Sequence, residues 1–224
     1  MSLPSGYKRL EYIQSSGTQR IDTGFKPNNN SRVITDAEIL SSNTGTDHHI
    51  GSVYSNSQYW TMRLKSDKSG YAARYDGRNL TNVAHTGNVF ARHVFDQNKN
   101  VVQIDTAAAT TFTAATWNAT ANLPLFCYSG NGTSFTGYIS MKLYSCRIYD
   151  NGTLIRDYIP CQTAGGEIGL WDDVNSVFYD NAGTGTFTAG PVVASPSIFV
   201  NIDGIWKPIN HIYVNINNIW QKST

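Results

Sequence analysis

Glutamate is scarce in this chain: only Glu11, Glu38 and Glu167 occur in 224 residues, and charged residues of all kinds make up 15%. An average globular protein carries roughly 25%. Seventeen basic residues against sixteen acidic ones leave a net charge of +1, and the basic residues are scattered. No electrostatic footprint for nucleic acid or for an anionic membrane follows from that distribution. No run approaches the ~20 apolar residues of a transmembrane helix, and no charged start leading into an apolar core marks a signal peptide. The three cysteines, Cys127, Cys146 and Cys161, are an odd number, and none lies in a Cys-x-x-Cys or Cys/His metal spacing. They are expected to be buried free thiols.

Helical periodicity is also missing, whereas a period of two is common. In "RVITDAEIL", Val33, Thr35, Ala37 and Ile39 fall on one side and Ile34, Asp36, Glu38 and Leu40 on the other. In "YWTMRL", Trp60, Met62 and Leu64 share a face. "NVFARHVF", "NVVQID" and "LPLFCY" continue the pattern between clusters of Gly, Asn, Asp and Ser. Such segments are strands, and the expected class is all-β.

"YISMKLYSCRIYDNGTLIRDYIP" reads as a hairpin turning at Asp150-Asn151-Gly152. In its first arm Ile139, Met141 and Leu143 carry the apolar phase, and further on Cys146 and Ile148 carry the opposite one. A phase change inside one strand predicts a β-bulge near Tyr144 or Ser145, the device that bends a sheet. Long bent strands favour a two-sheet antiparallel jelly-roll sandwich.

After a stretch of small residues with two prolines, a repeat begins: "IFVNIDGIWK" (198–207) and "IYVNINNIWQ" (212–221). Each copy has two apolar arms about a two-residue turn, Asp203-Gly204 or Asn217-Asn218, which suits a type I′ hairpin. The expected organisation is one domain over residues 3–190, a linker over 191–197 and a tandem 14-residue hairpin repeat over 198–224. Hairpins this short need a surface to stack on, so the repeat is either a packed meander or a contact module for self or another protein.

The segments "LPSGYKRLEYIQSSGTQRIDTGFKPNNNSRV", "GYISMKLYSCRIYDNGTLIRDYIPC" and "GEIGLWDDVNSVFYDNAGTGTF" carry a resemblance over residues 3–190. They resemble the LamG-like, concanavalin A-type jelly-roll domains of bacteriophage and prophage tail and other structural proteins. The terminal repeat is similar to the short "YVNINxxW" units that follow such domains. The resemblance implies a non-enzymatic virion protein that recognises a host-surface carbohydrate or only decorates the particle. A calcium at the rim of the sandwich is known in domains of this type, so Asp172, Asp173 and Asp180 are candidate ligands. The residues after Asp172 do not have the spacing of a helix-loop-helix calcium site.

Jelly rolls of this class also house glucanases, which set two carboxyls roughly 5 Å apart, one a nucleophile and one an acid. Their Glu-x-Asp-x-x-Glu arrangement is missing here. Asp36 and Glu38 share a strand face, but an outward carboxylate pair is ordinarily just solvated. A nucleophile elbow, a Lys-Ser/Thr phosphate loop and His-Glu-x-x-His are absent too, so no enzyme is expected. Recognition remains. Sugars are held by aromatic faces and by groups that bond hydroxyls. The segment from Asn56 to Leu80 offers Tyr59, Arg63, Tyr71, Arg74, Tyr75 and Arg78, with a turn expected at Asp76-Gly77; Trp117 and Tyr128 lie in turn-rich surroundings.

Overall fold

The computed structural model describes residues 3–41, 48–76 and 80–193 in full, and the backbone alone of four further strands between 198 and 222. In chain order the strands are β1 (Lys8–Arg9), β2 (Ile13–Gln14), β3 (Ile21–Asp22), β4 (Arg32–Ile39), β5 (His48–Ser55), β6 (Gln58–Leu64), β7 (Tyr71–Tyr75) and β8 (Thr81–Val83). They continue as β9 (Arg92–Asn98), β10 (Val101–Ile104), β11 (Thr110–Thr111), β12 (Pro124–Leu125), β13 (Tyr128–Gly130), β14 (Ser134–Thr136), β15 (Met141–Asp150) and β16 (Thr153–Gln162). The last are β17 (Ile168–Asp172), β18 (Val177–Tyr179), β19 (Thr188–Ala189), β20 (Ile198–Ile202), β21 (Ile205–Ile209), β22 (Tyr213–Ile216) and β23 (Ile219–Lys222). Among the described residues there is no helix, and so none long and apolar enough to cross a membrane.

Two sheets pack face to face as a β-sandwich of the jelly-roll type. The larger runs β11-β10-β9-β4-β15-β16-β17-β18, with β1, β2 and β19 attached at its side; the smaller runs β14-β13-β5-β6-β7-β8, with β12 and β3 attached. Alternation assigns the faces. In β4, Val33, Thr35, Ala37 and Ile39 are buried and the residues between them are half-buried. Opposite them, Trp60, Met62 and Leu64 of β6 and Tyr71, Ala73 and Tyr75 of β7 point inward. Tyr71 and Phe95 meet edge to face across the layers at 5.0 Å. Burying one such large apolar side chain contributes roughly 1.5–3 kcal/mol, so this interior carries most of the stability.

The bulge falls where the phase change puts it. Leu143 pairs with Ala37 and Ser145 with Asp36, leaving Tyr144 as the extra residue. Met141 and Leu143 before it and Cys146 and Ile148 after it all face the core. The hairpin turn is also where Asn-Gly places it: Asp150 pairs with Thr153, and Asn151 and Gly152 both have positive φ, at 49° and 82°. A second turn of this kind joins β5 to β6 through Asn56 (φ 53°) and Ser57 (φ 65°), where no glycine signals it.

Among the described residues every sheet pairing is antiparallel except that of β13 with β5. Leu125 of β12 pairs with Gly51 antiparallel, and by Tyr128 the chain runs parallel to the same strand. Phe126, fully buried with φ at 71°, makes that reversal.

The sandwich extends past residue 190. The Glu11 amide donates to the Pro191 carbonyl, the Val193 amide to the Arg9 carbonyl, and Leu10 bridges Val192. The remainder of the expected linker, 194–197, lies outside the described residues. Beyond it, β20–β21 and β22–β23 form two separate hairpins with matching registers: Asn201 pairs with Trp206 and Asn215 with Trp220. Their turns, 203–204 and 217–218, lie outside the described residues.

Candidate functional site

The twenty residues 168–187, rich in Asp, Gly and aromatic side chains, resolve into framework. At Gly169 a Cβ would sit 2.2 Å from the Tyr179 carbonyl oxygen, so only glycine lets β17 and β18 close. At Gly183 a Cβ would sit 2.4 Å from the Thr18 carbonyl oxygen. Phe187 joins the core against Phe126 at 5.0 Å.

Asp172, expected as a calcium ligand, is fully buried. Its Oδ1 accepts the amides of Asp157 (3.1 Å) and Val174 (3.2 Å), while Oδ2 accepts Asn175 Nδ2 (2.7 Å) and faces Arg156 Nε at 3.5 Å. Its lone pairs are occupied within the protein, which corrects that expectation. Asp173 lines a groove with Arg9 and Asp157, whereas Asp180 lines another with Glu167 and Asn181. Among the described residues no three His, Cys, Asp or Glu side chains converge on a point where a metal would bind.

The pair Asp36 and Glu38 does lie outward, on the larger sheet. Arg92 donates to both oxygens of Asp36 at 2.7 Å, and Glu38 accepts Lys142 Nζ and the Tyr144 hydroxyl, each at 2.9 Å. Burial alone would raise the Glu38 carboxyl, but the bonds from Lys142 and Tyr144 outweigh it and hold the group below its ordinary value. A carboxyl lowered in this way is a poor general acid at neutral pH.

A different surface gathers recognition chemistry: the outer face of the smaller sheet. Registers bring His49 opposite Arg63, Ser52 opposite Thr61 and Tyr54 opposite Tyr59. On the next strand Arg74 pairs with Thr61, and on the other side Tyr128 pairs with Ser52. Paired residues share a face; on it Tyr54, Tyr59, Arg63, Arg74 and Tyr128 are half-buried and reach the surface, whereas His49, Ser52 and Thr61 are buried. The Tyr54 and Tyr59 rings lie 4.5 Å apart at 38°, and the Arg74 guanidinium sits 4.5 Å from the Tyr59 ring centre. His49 stands 5.2 Å from the Tyr128 ring, with its Nδ1 2.7 Å from Ser52 Oγ.

Strands β5 to β8, β13 and β14 contain no Asp or Glu. Burial, and after it the charges of Arg63 and Arg74, push the His49 imidazole down to about 3, so it is neutral at physiological pH. Burial raises the Tyr128 phenol, with Tyr59 and Tyr54 adding to the effect. Thr61 Oγ1 and Arg74 Nε, on directly paired residues, are buried without a hydrogen-bond partner among the described residues.

Of the residues proposed from sequence, Tyr59, Arg63 and Arg74 meet on this face. Tyr71, Tyr75 and Trp117 do not: they are 1%, 5% and 5% exposed and belong to the core, which corrects their reading as a sugar platform. Tyr71 and Tyr75 occupy the inward phase of β7, and their hydroxyls reach the carbonyls of Val89 and Ala115. Trp117 packs on Tyr75 at 5.6 Å and on Trp60 at 5.9 Å. Arg78 lies outside the described residues. Sequence reasoning missed Tyr54, His49, Ser52 and Thr61. Tyr54 could have been found by carrying the phase of Tyr59 back through the Asn56-Ser57 turn.

No protein-family model matches this chain, and no curated protein matches it.

Proposed function

We propose that this chain is a non-enzymatic recognition module of a bacteriophage or prophage tail or fibre, and that a host-surface glycan lies across Tyr54, Tyr59, Arg74 and Tyr128. The observation that carries the reading is the outer face of the smaller sheet, where half-buried tyrosine rings and a stacked arginine lie side by side. Ring faces stack on the C–H side of a sugar, and the polar groups bond its hydroxyls. The motif resemblance to LamG-like, concanavalin A-type domains supplies the phage context, with a virion location and other virion proteins as partners. The test is an array of bacterial wall and capsular polysaccharides probed with the purified chain and with Tyr59→Ala. Retention by the parent and a loss on the order of tenfold in the variant are expected; a blank array for the parent removes the glycan reading.

The matched registers of the two terminal hairpins favour a second reading, in which the module only decorates the particle and residues 198–224 join it to itself or to a neighbour. Deleting 195–224 then lowers the mass measured by light scattering, and an unchanged mass sinks this alternative.

A further inference from the structure

We infer that the core binds one internal water molecule, held between the two sheets by the side chains of Gln97 and Thr35; the inference is independent of the glycan reading. Gln97 of β9 is 2% exposed and lies in the interior. Its Nε2 crosses to the smaller sheet and donates to the Arg74 carbonyl at 3.1 Å. Its Oε1 is buried with no hydrogen-bond partner among the described residues. Gln97 lines a cavity of about 20 Å³ between the layers, together with Thr35 of β4, Gly51 of β5, Trp60 and Met62 of β6 and Leu125 of β12. Thr35 is 3% exposed, and its hydroxyl donates to Cys146 Sγ at 3.8 Å, a weak acceptor. No donor reaches the Thr35 oxygen among the described residues, so that oxygen is open as an acceptor.

A buried acceptor left without a donor is costly, and protein interiors relieve that cost with another protein group or with an ordered water. The size of the cavity decides the occupant. A water needs roughly 10–15 Å³, whereas a small-molecule pocket has ~300 Å³ or more. A cavity lined only by apolar groups stays dry, but this one has two polar side chains on its wall. One water hydrogen goes to Gln97 Oε1 and the other to Thr35 Oγ1, two bonds being the low end of what internal waters make. The register places the two groups for this: Gln97 pairs with Val33, two residues from Thr35 on the adjacent strand, so both enter the same layer as diagonal neighbours. Gly51 opposite adds no side chain to fill the space. The water completes a polar link that begins on β4, passes through Gln97 and ends on the backbone of Arg74, joining the larger sheet to β7.

The experiment uses the full chain and reads the water directly. Magnetic relaxation dispersion of the solvent nuclei counts long-lived internal waters, and transfer of magnetisation from water to protein protons locates them. In the parent, cross-peaks from a long-lived water are expected at the Met62 and Phe95 protons that line the cavity. Gln97→Met keeps the side-chain length and removes both polar atoms, while Thr35→Val keeps the shape and removes the hydroxyl. Each variant is expected to lower the dispersion amplitude by one water and to erase those cross-peaks. Missing cross-peaks in the parent, or an amplitude unchanged in either folded variant, overturns the inference. The parent cross-peaks are decisive even where a variant fails to fold.

Discussion

Replacing Asp172 by Asn changes one atom of a fully buried group and tests whether that carboxylate is an internal strut. Asn keeps an oxygen at Oδ1, so the amides of Asp157 and Val174 retain their acceptor. At the Oδ2 position an NH2 now meets two donors, Asn175 Nδ2 at 2.7 Å and Arg156 Nε at 3.5 Å. The substitution removes a charge-assisted bond worth roughly 1.5–3 kcal/mol and sets donors against one another in the interior. Arg156 is only 19% exposed but keeps the Ile155 and Thr23 carbonyls, at 2.8 and 3.3 Å, so it is not stranded. The expected loss is therefore about 3 kcal/mol, below the upper end seen when a buried pair is broken. For a domain of this size that is a fall of about 6–12 °C in the melting temperature. Urea unfolding should show a lower midpoint at an unchanged slope. In an Asn175→Ala background the same change should cost less, the difference measuring the Asn175 bond. Calcium at millimolar concentration should leave the parent midpoint where it was. A loss under 1 kcal/mol, or a calcium-dependent gain that Asp172→Asn abolishes, refutes the strut.

Three further outcomes are expected. Gly169→Ala places a methyl 2.2 Å from a backbone oxygen, so the chain should lose about 1–3 kcal/mol or fail to fold, and a midpoint within 0.5 kcal/mol of the parent contradicts the close approach. His49 titrates at about 3 in the folded state against 6.5 when unfolded, so between those values the unfolded chain binds more protons and stability falls as pH falls. From pH 7.5 to 5 this one group should account for about 2 kcal/mol, read as the difference between parent and His49→Gln, and identical pH slopes would exclude it. The thiols of Cys127, Cys146 and Cys161 are fully buried and pushed up to about 12 by burial, so a thiol reagent should find none of the three in the native protein and all of them in urea. Native-state labelling at any one would show that its strand opens.

Much of the fold is legible because local chemistry and global position agree. Asn151 and Gly152 tolerate positive φ, so Asn-Gly marks the hairpin; the swap of apolar phase about Tyr144 marks the bulge; the alternation in Arg32–Ile39 marks both faces of β4. The site is less legible, and β7 shows why. In "YAARY" the inward positions carry tyrosines and the outward ones Ala72 and Arg74, so aromatic content alone points to the wrong face. A tyrosine enters the core when its hydroxyl finds a carbonyl, and Val89 and Ala115, which supply them, are remote in sequence. Tyr128 joins the patch only through the parallel pairing of β13 with β5, which no short-range pattern encodes. Of the adjacent Asp172 and Asp173, the register with Tyr158 decides which turns inward.

The place of β4 at the middle of the larger sheet also sets a folding schedule. One neighbour, β9, comes about fifty residues after it and the other, β15, about a hundred residues after it, so closing that second seam carries a large loop entropy. At about 5–20 residues per second, a ribosome takes many seconds to supply the missing partner. During that interval β4 presents a free edge, and the alternating Arg32, Asp36 and Glu38 are the charges that discourage a neighbouring chain from pairing with it. The same side chains that later join the ion pairs of the finished sheet thus act first as gatekeepers against aggregation of the nascent chain.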